Sequence, residues 1–273
     1  WKSATFCNDF KRKVSNVWLA NRVAFSTSDV GLEFTLHEYL PGGTCTMAVD
    51  NLSMRVIKVG EDESGLGRWS YITMEGQRGR KVTFITAYRI CAGPMRGTKT
   101  SCQQHSKVIN KQEMKQGKEA STIDTNFLRM KFVEDLILFI QSLQAEGHVI
   151  VLGLDANETP DEAIKANETK EGSISWLLEQ TGLAEVFAEH HNTTPDSTTT
   201  TPGRFIDRVA VSGIALQQVT ILRANEPAQS DHLGIVVDLD LKYLFSNACS
   251  PLVSPSPRKL TSGNAASVKK YIE

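Results

Sequence analysis

The sequence predicts a layered α/β protein, and three observations indicate that fold class. An apolar helical pattern over residues 124–146 leads at once into an apolar, β-type run at 148–154. A helix that runs directly into a buried strand is typical of layered α/β folds. Two more strand patterns, 69–74 and 81–89, are joined by a glycine-bearing hairpin connection. Both faces of 81–89 are partly apolar, which favours a strand covered by a second layer.

Composition excludes several classes of protein. The 273 residues carry 30 basic and 31 acidic side chains, for a formal net charge of −1. A strongly basic nucleic-acid tail is therefore absent, although a local basic groove is compatible with this balance. Apolar residues make up 40%. No apolar stretch approaches the roughly 20 residues that a membrane span needs, so we expect no membrane association.

The cysteines and the two ends of the chain indicate its cellular compartment and its domain boundaries. The five cysteines are widely spaced without a CxxC pair, so we expect reduced thiols. No signal-peptide pattern follows Trp1, which favours an intracellular protein that is not secreted, with the nucleus as one location. Six serines and three prolines lie between residues 246 and 267. We therefore expect one domain over 1–244 and a linker with a basic tail over 245–273.

The remaining elements follow from local chemistry, taken along the chain. Strands are expected at 22–26 and 45–50, the second after the turn-forming Pro-Gly-Gly segment. The polar stretch 91–123 is interpreted as a loop or a helical insertion. Asp124 or Thr125 then caps the long helix, and Gly147 ends it. A short helix is expected at 174–180, a threonine-rich loop at 190–202, and strands at 205–212, 216–222 and 233–239.

Polar side chains stand at the ends of three of these strands. Asp155 and Asn157 directly follow the apolar run 148–154. Loops on a rigid sheet commonly hold reactive groups, but Asp and Asn also favour ordinary turns. Asp207 lies inside an apolar strand, where a carboxylate is unfavourable without a partner. It could orient a histidine, bind a cation, pair with Arg204 or Arg208, or form a simple surface ion pair.

The third polar segment is Ser-Asp-His at positions 230–232, just before a strand. Histidine changes protonation state near neutral pH, and neighbouring carboxylates can hold it charged or in one tautomer. A lone loop histidine is the alternative interpretation of His232. The pair His190 and His191 is expected to face solvent.

The order of these segments along the chain resembles that of a known protein family. The chain first has a strand that ends in Thr-Ala-Tyr-Arg at 86–89. It is followed, in order, by a helix, a strand that ends in Asp155-x-Asn157, the pair Ile-Asp at 206–207, and Ser-Asp-His at 230–232. This order resembles the endonuclease/exonuclease/phosphatase superfamily, the deoxyribonuclease I-like proteins, over about residues 20–242. The resemblance implies a four-layer α/β sandwich of two packed mixed β-sheets flanked by helices. It also implies hydrolysis of phosphodiester or phosphomonoester bonds with a divalent cation, Mg²⁺ or Mn²⁺.

Roles carry over by position from that resemblance. His232 would contact the scissile phosphate and stabilise or protonate it, and Asp207 would orient His232. Asp155 would position and deprotonate the attacking water, and Asn157 would hydrogen-bond the phosphate. These roles suit a reaction that needs an aligned nucleophile and donors around developing charge.

Three more residues complete the expected site. Asp231 would belong to the metal-side carboxylates, and Tyr88 would donate to the phosphate or the leaving oxygen. Apart from the resemblance, Arg89 is a basic residue that could contact substrate phosphate, with a simple solvated charge as the alternative. The family's principal metal-ligand glutamate and an early strand-end asparagine have no counterpart here. We therefore expect that the first strand or strands precede Trp1, which places activity and independent folding in question.

Three functions remain open at this point. The first is a metal-dependent nuclease acting on DNA, from a retroelement-type polyprotein with a reverse transcriptase downstream. The segments 39–44, 65–69, 257–262 and 268–271 suggest that origin; a generic basic linker is the alternative for the tail. The second function is a phosphatase or an RNA-directed member of the same superfamily. The third is a catalytically inactive remnant or binding module.

Overall fold

The computed structural model describes residues 4–28, 42–92, 100–117, 119, 123–159, 171–213, 216–222 and 230–246. Its helices are α1 Ala4–Val17, α2 Asp50–Ser53, α3 Ser101–Lys115, α4 Thr125–Ala145, α5 Ile174–Thr181, α6 Val186–His191 and α7 Leu241–Phe245. Its strands are β1 Asn21–Ser26, β2 Thr44–Val49, β3 Val56–Glu61, β4 Trp69–Glu75, β5 Lys81–Tyr88, β6 His148–Asp155, β7 Ala184–Glu185, β8 Asp207–Val211, β9 Leu216–Ile221 and β10 Ile235–Leu239.

The largest layer is a six-stranded mixed sheet in the order β3-β4-β5-β6-β8-β7. Strands β5 and β6 are parallel neighbours, and the other pairs are antiparallel. A parallel pair needs a crossover connection, and here the crossover contains α3 and α4. Because β5 and β6 run in one direction, their carboxyl ends, Tyr88 and Asp155, lie side by side.

Both faces of this sheet are covered. On β6, Ile150, Leu152 and Leu154 pack in a cluster with residues of α4 and α5. Val149 and Val151 point to the opposite layer. Burial on both faces explains why β6 is a continuous apolar run rather than an alternating one.

The second β layer consists of two antiparallel pairs, β1–β2 and β9–β10. The first pair packs over β3, β4 and β5, and the second packs with apolar residues of β6 and β8. Phe84 of β5 and Leu239 of β10 contact both apolar clusters of this layer. The predicted layered α/β architecture is thus confirmed, with the smaller layer formed, among the described residues, by separate strand pairs.

Several elements differ from expectation. The helix cap at Asp124 is confirmed, since its Oδ1 accepts the Phe127 N–H at 2.7 Å. The polar stretch 91–123 contains the helix α3, which is the helical one of the two alternatives that the sequence left open. Helices α1, α6 and α7 and strand β3 were not predicted. Residues 39–41 of the expected glycine turn and 247–273 of the expected linker lie outside the described residues, while Leu244 and Phe245 of α7 are fully buried.

A buried ion-pair network fixes the loop between β3 and β4. Arg68 is 2% exposed, and its Nε lies 2.7 Å from Asp62 Oδ2 while its Nη1 lies 2.8 Å from Asp135 Oδ2 on α4. Burial pushes the pKa of Asp62 upward, but hydrogen bonds and charge from Arg68 outweigh burial and hold that pKa below its usual range. The preceding Gly67 has φ +73°, and a Cβ there would lie 2.4 Å from the Ser28 nitrogen. Only glycine fits this approach of two backbones.

His105 of α3 makes stability depend on pH. It is 5% exposed, and burial, followed by the charge of Arg68, lowers its pKa from 6.5 to about 4. As the pH falls, His105 is therefore protonated near pH 6.5 in the unfolded chain but only near pH 4 in the folded chain. Stability conferred by the neutral ring is complete above pH 6.5 and is lost as pH falls through this window.

We expect His105→Gln to remove that pH dependence. From pH 7.5 to 5.0, the wild-type free energy of unfolding should fall by about 2 kcal/mol more than that of the variant, at 1.36 kcal/mol per pKa unit. Urea unfolding of both proteins at the two pH values measures this difference. The contributions of the titrating groups that both proteins share cancel in the comparison. Equal losses in the two proteins would contradict the prediction.

In the described part of the chain, no helix is both long enough and apolar enough to cross a membrane. The described cysteines Cys7, Cys45, Cys91 and Cys102 are free thiols.

Candidate active site

A tight turn follows β6 and holds Asp155 and Asn157. The Asn157 N–H donates to Asp155 Oδ1 at 3.2 Å, and Asn157 Nδ2 donates to the Arg89 carbonyl at 2.8 Å. Asn157 has φ +46°, a left-handed conformation that asparagine tolerates better than most residues. These hydrogen bonds fix two polar side chains at the end of a buried strand.

Strand register brings two more side chains to Asp155. Asp207, the first residue of β8, lies opposite Asp155 in the antiparallel pair. Tyr88, the last residue of β5, lies opposite Asp155 in the parallel pair. Three neighbouring strand ends thus place a phenol and two carboxylates on one edge of the sheet.

His232 joins this group from the segment before β10. Its Nδ1 lies 3.0 Å from each carboxylate oxygen of Asp207. Among the described residues, the other ring nitrogen, Nε2, has no hydrogen-bond partner. Of the partners that the sequence left open for Asp207, the structure brings His232 to it. The guanidinium of Arg208 instead stacks on Phe205, 3.9 Å from the ring centroid.

The threonine-rich loop supports this pair, a role that the sequence analysis missed. Thr198 is fully buried, and its Oγ1 accepts the N–H groups of Ile206 at 3.1 Å and Asp207 at 2.9 Å. Its carbonyl accepts the Leu233 N–H at 2.8 Å, and Thr199 forms an isolated β-bridge with His232. The loop therefore ties the start of β8 to the segment that carries His232.

The pKa values of Asp155 and His232 depend on the charges of their neighbours in the site. Burial, and then the nearby Asp207 charge, raises the pKa of Asp155 to about 6. Burial would lower the pKa of His232, but Asp207 outweighs it through charge and hydrogen bonding, so the pKa is raised. An acid–base pair with displaced pKa values is a feature of functional sites.

Tyr88 is a neutral hydrogen-bond donor rather than an anion in this setting. Burial is the main cause that raises the pKa of its phenol, and the charges of Cys91 and Asp155 act in the same direction. The hydroxyl therefore stays protonated across the physiological range.

A metal-compatible donor set is present. Ligand atoms of Asp155, Asp207 and His232 all lie within 4.8 Å of one another, the one such group among the described residues. Asp231 is exposed and lies outside this group. The expected metal-side carboxylate is thus near the site without joining the donor cluster.

The structure does not support Arg89 as the phosphate contact that its charge suggested. The side chain is 1% exposed. Its Nη1 forms an ion pair with Glu158, and its Nη2 donates to the Gly172 carbonyl at 2.7 Å. We therefore withdraw Arg89 as a phosphate contact, because its guanidinium is enclosed and occupied within the fold.

Four of the candidate residues, Tyr88, Asp155, Asp207 and His232, line a cleft of about 460 Å³ between the two β layers, and Asn157 is not among its lining residues. Its walls include the start of β2, the ends of β5 and β6, the start of β8 and the segment 232–235. A cleft of this volume lies within the range of small-molecule and substrate sites, so the group is accessible to a phosphate.

The fold and the site together define a phosphodiester hydrolase of the nuclease and phosphatase class. The sequence profile of the Endonuclease/Exonuclease/phosphatase family matches residues 54–232. That match covers more than half of the chain and includes every candidate catalytic residue. The chain belongs to this family.

Solved structures are similar to the chain at low sequence identity. An AP endonuclease from Archaeoglobus fulgidus is 13% identical, with a TM-score of 0.51 over 85% of this chain and 82% of that one. The 3′ phosphatase NExo from Neisseria, bound to a product DNA hairpin, is 15% identical with a TM-score of 0.49 over 81% and 80%. The human Nocturnin catalytic domain is 15% identical with a TM-score of 0.49 over 84% and 74%. No curated protein sequence matches the chain.

Proposed function

We propose that the chain is a divalent-metal-dependent nuclease that hydrolyses phosphodiester bonds in DNA by attack of water. The observation that carries the proposal is the His232–Asp207 pair, with both carboxylate oxygens 3.0 Å from Nδ1, beside the second carboxylate of Asp155. The proposal assigns catalysis to His232, Asp155, Asn157 and Tyr88, with Asp207 as a positioning residue.

Asp155 is the proposed general base. Burial and the Asp207 charge raise its pKa to about 6 in the metal-free site, and a bound cation would lower that pKa, so that the carboxylate is ionised and able to accept a proton at neutral pH. The Asn157 N–H occupies Oδ1, which leaves Oδ2 to receive the proton of the attacking water.

His232 is the proposed contact to the scissile phosphate. Its raised pKa favours the protonated ring. Because Asp207 occupies Nδ1, the positive ring would donate through Nε2 to a phosphate oxygen or to the leaving group. A fixed cationic donor at this point stabilises charge as it develops.

Asn157 and Tyr88 are the proposed neutral donors. Nδ2 of Asn157 has two N–H groups, and one of them goes to the Arg89 carbonyl. The protonated phenol of Tyr88 lies beside Asp155 on the adjacent strand. Each would donate one hydrogen bond to phosphate or leaving-group oxygens.

The donor set fits a divalent cation. Asp155 and Asp207 repel each other, since the Asp207 charge helps to raise the pKa of Asp155, and a cation would relieve that repulsion. Mg²⁺ prefers carboxylate oxygens, so Asp207, with Asp231 on the solvent side, would hold Mg²⁺ or Mn²⁺ beside Asp155 and leave Asp155 Oδ2 to the attacking water. When bound, the ion supplies positive charge beside the phosphate.

DNA is the proposed substrate and a retroelement-type polyprotein the proposed origin. The structure that shares this fold is, by its name, an AP endonuclease, and a nuclease of that kind favours DNA as the substrate. The Gly-Leu-Gly-Arg-Trp segment at 65–69 supports the origin. A reverse transcriptase reading frame in the same transcript, downstream of residue 273, would support it, and nuclear access to DNA would follow.

A substrate panel tests the proposed function. Equal amounts of the protein are incubated with supercoiled plasmid, structured RNA and a phosphomonoester, each with Mg²⁺ or with EDTA. We expect plasmid nicking that EDTA abolishes, and little turnover of the other two. Preferential RNA cleavage or phosphate release would instead support the RNA-directed or phosphatase alternative, and a folded protein that only binds DNA would support the binding module.

A further inference from the structure

Directly after Asn157 lies a carboxylate that the proposed chemistry does not use. Glu158 has a side chain that is 6% exposed, and its Oε2 forms ion pairs with Arg89 and with Arg129. Its Oε1 accepts the backbone N–H of Ile174 at 3.1 Å. We call Glu158, Arg89 and Arg129 the Glu158 cluster.

The two arginines extend the cluster to the backbone around the active-site turn. Arg129 Nη1 donates to the Ile90 carbonyl at 2.6 Å and to the Asn157 carbonyl at 3.3 Å. Arg89 is the residue whose own carbonyl receives Nδ2 of Asn157. The cluster therefore joins the end of β5, the turn after β6, and helices α4 and α5 around one buried carboxylate.

Asn157 depends on these contacts for its position. Its backbone is left-handed, a conformation that persists only where the surroundings over-determine it. Its carbonyl is held by Arg129 and its Nδ2 by the Arg89 backbone. Its Oδ1 accepts the thiol of the exposed Cys91 at 3.2 Å. Loss of the central carboxylate would leave two buried guanidinium groups without their shared partner and would loosen this turn.

We propose that Glu158 is a positioning residue for hydrolysis: it sets Asn157 and, through the turn, Asp155 against the scissile phosphate. The inference rests on the proposed function and deepens it. A displacement of about 1 Å at a reacting group lowers the rate of the chemical step about 100-fold. Binding of a long DNA backbone involves many other contacts and depends far less on one turn.

The matched pair Glu158→Gln and Asp62→Asn tests the proposal. Each variant replaces a buried carboxylate, paired with arginine, by its amide, but Asp62 lies in the separate Arg68 network. At a temperature where both variants are folded by circular dichroism, we expect kcat to fall 10- to 100-fold in Glu158→Gln with KM changed less than about threefold. In Asp62→Asn, kcat should stay within about threefold of wild type.

Cys91 gives a readout that does not depend on activity. The nucleophile in alkylation is the thiolate, and the Cys91 thiol must break its bond to Asn157 Oδ1 to react. Iodoacetamide labelling, followed peptide by peptide with mass spectrometry, should be several-fold faster at Cys91 in Glu158→Gln and unchanged in Asp62→Asn.

The two readouts separate the possible failures. If the wild-type chain has no nuclease activity, the proposed function fails, and the labelling rate alone still decides whether Glu158 positions the turn. Equal losses of kcat in the two variants, or an unchanged Cys91 rate in Glu158→Gln, would overturn the positioning role.

Discussion

Substitution of His232 by alanine should lower kcat/KM for hydrolysis of a DNA oligonucleotide about 1,000-fold. The reason is that His232 is the proposed cationic donor to the phosphate, and a positioned acid–base group typically contributes 10²- to 10⁴-fold. The measurement is the initial rate with a fluorescent oligonucleotide and Mg²⁺, at fixed pH. His190→Ala is the matched control, since His190 is exposed at the end of α6.

Asp207→Asn should lower kcat/KM by a similar factor. The amide can no longer hold the imidazolium by charge, and the ring loses its fixed orientation. Residues that act as one unit are not additive, so the double variant should be no slower than the slower single variant by more than a few-fold. Independent, multiplicative losses in the double variant would contradict the pairing of Asp207 with His232.

Substitution of Arg68 by methionine should lower the free energy of unfolding by about 3–5 kcal/mol. The change leaves the buried carboxylate of Asp62 without its cation, and breaking a buried ion pair from one side typically has that effect. Arg68 also stacks on Trp69, 4.5 Å from the ring centroid, so packing is lost with the charge. For a chain of this length the melting temperature should fall by about 10 °C.

An exposed ion pair gives the comparison for Arg68. Lys81 and Glu146 lie 3.2 Å apart with 40% and 61% of their side chains exposed. Because surface ion pairs contribute little, Lys81→Met should leave the melting temperature almost unchanged. Equal thermal shifts for Lys81→Met and Arg68→Met, measured by differential scanning calorimetry, would contradict the assigned importance of the buried network.

The parts of the fold that were predicted have strong local signals. Helix α4 has an N-cap aspartate and a terminal glycine, and β6 is a continuous apolar run. Helix α1 was not predicted, although Phe6, Phe10, Val14 and Val17 recur at helical spacing. Val14 is buried and Phe10 packs edge-on against Phe25 at 5.7 Å. Strand β3 was missed because most of its residues are exposed, so it lacks the alternation of a half-buried strand.

The candidate site was predicted from the order of strand ends rather than from geometry. Asp155 and Asp207 come together because each occupies a strand terminus and the two strands pair in register. Arg89 could not be placed, since its partner Glu158 is 69 residues away and a buried arginine looks like a basic surface residue in sequence. The support from Thr198 depends on one buried hydroxyl inside a run of threonines, where sequence offers no means of choosing among them.

The central claim is that Asp155, Asp207 and His232 form one hydrolytic centre. The most direct test is Mg²⁺-dependent nicking of supercoiled plasmid by the wild-type chain, by Asp155→Asn and by Asp238→Asn, whose aspartate is exposed on β10. Circular dichroism first establishes that all three proteins are folded. We predict nicking by wild type and Asp238→Asn and its loss in Asp155→Asn. Nicking at the wild-type rate by folded Asp155→Asn would contradict the claim.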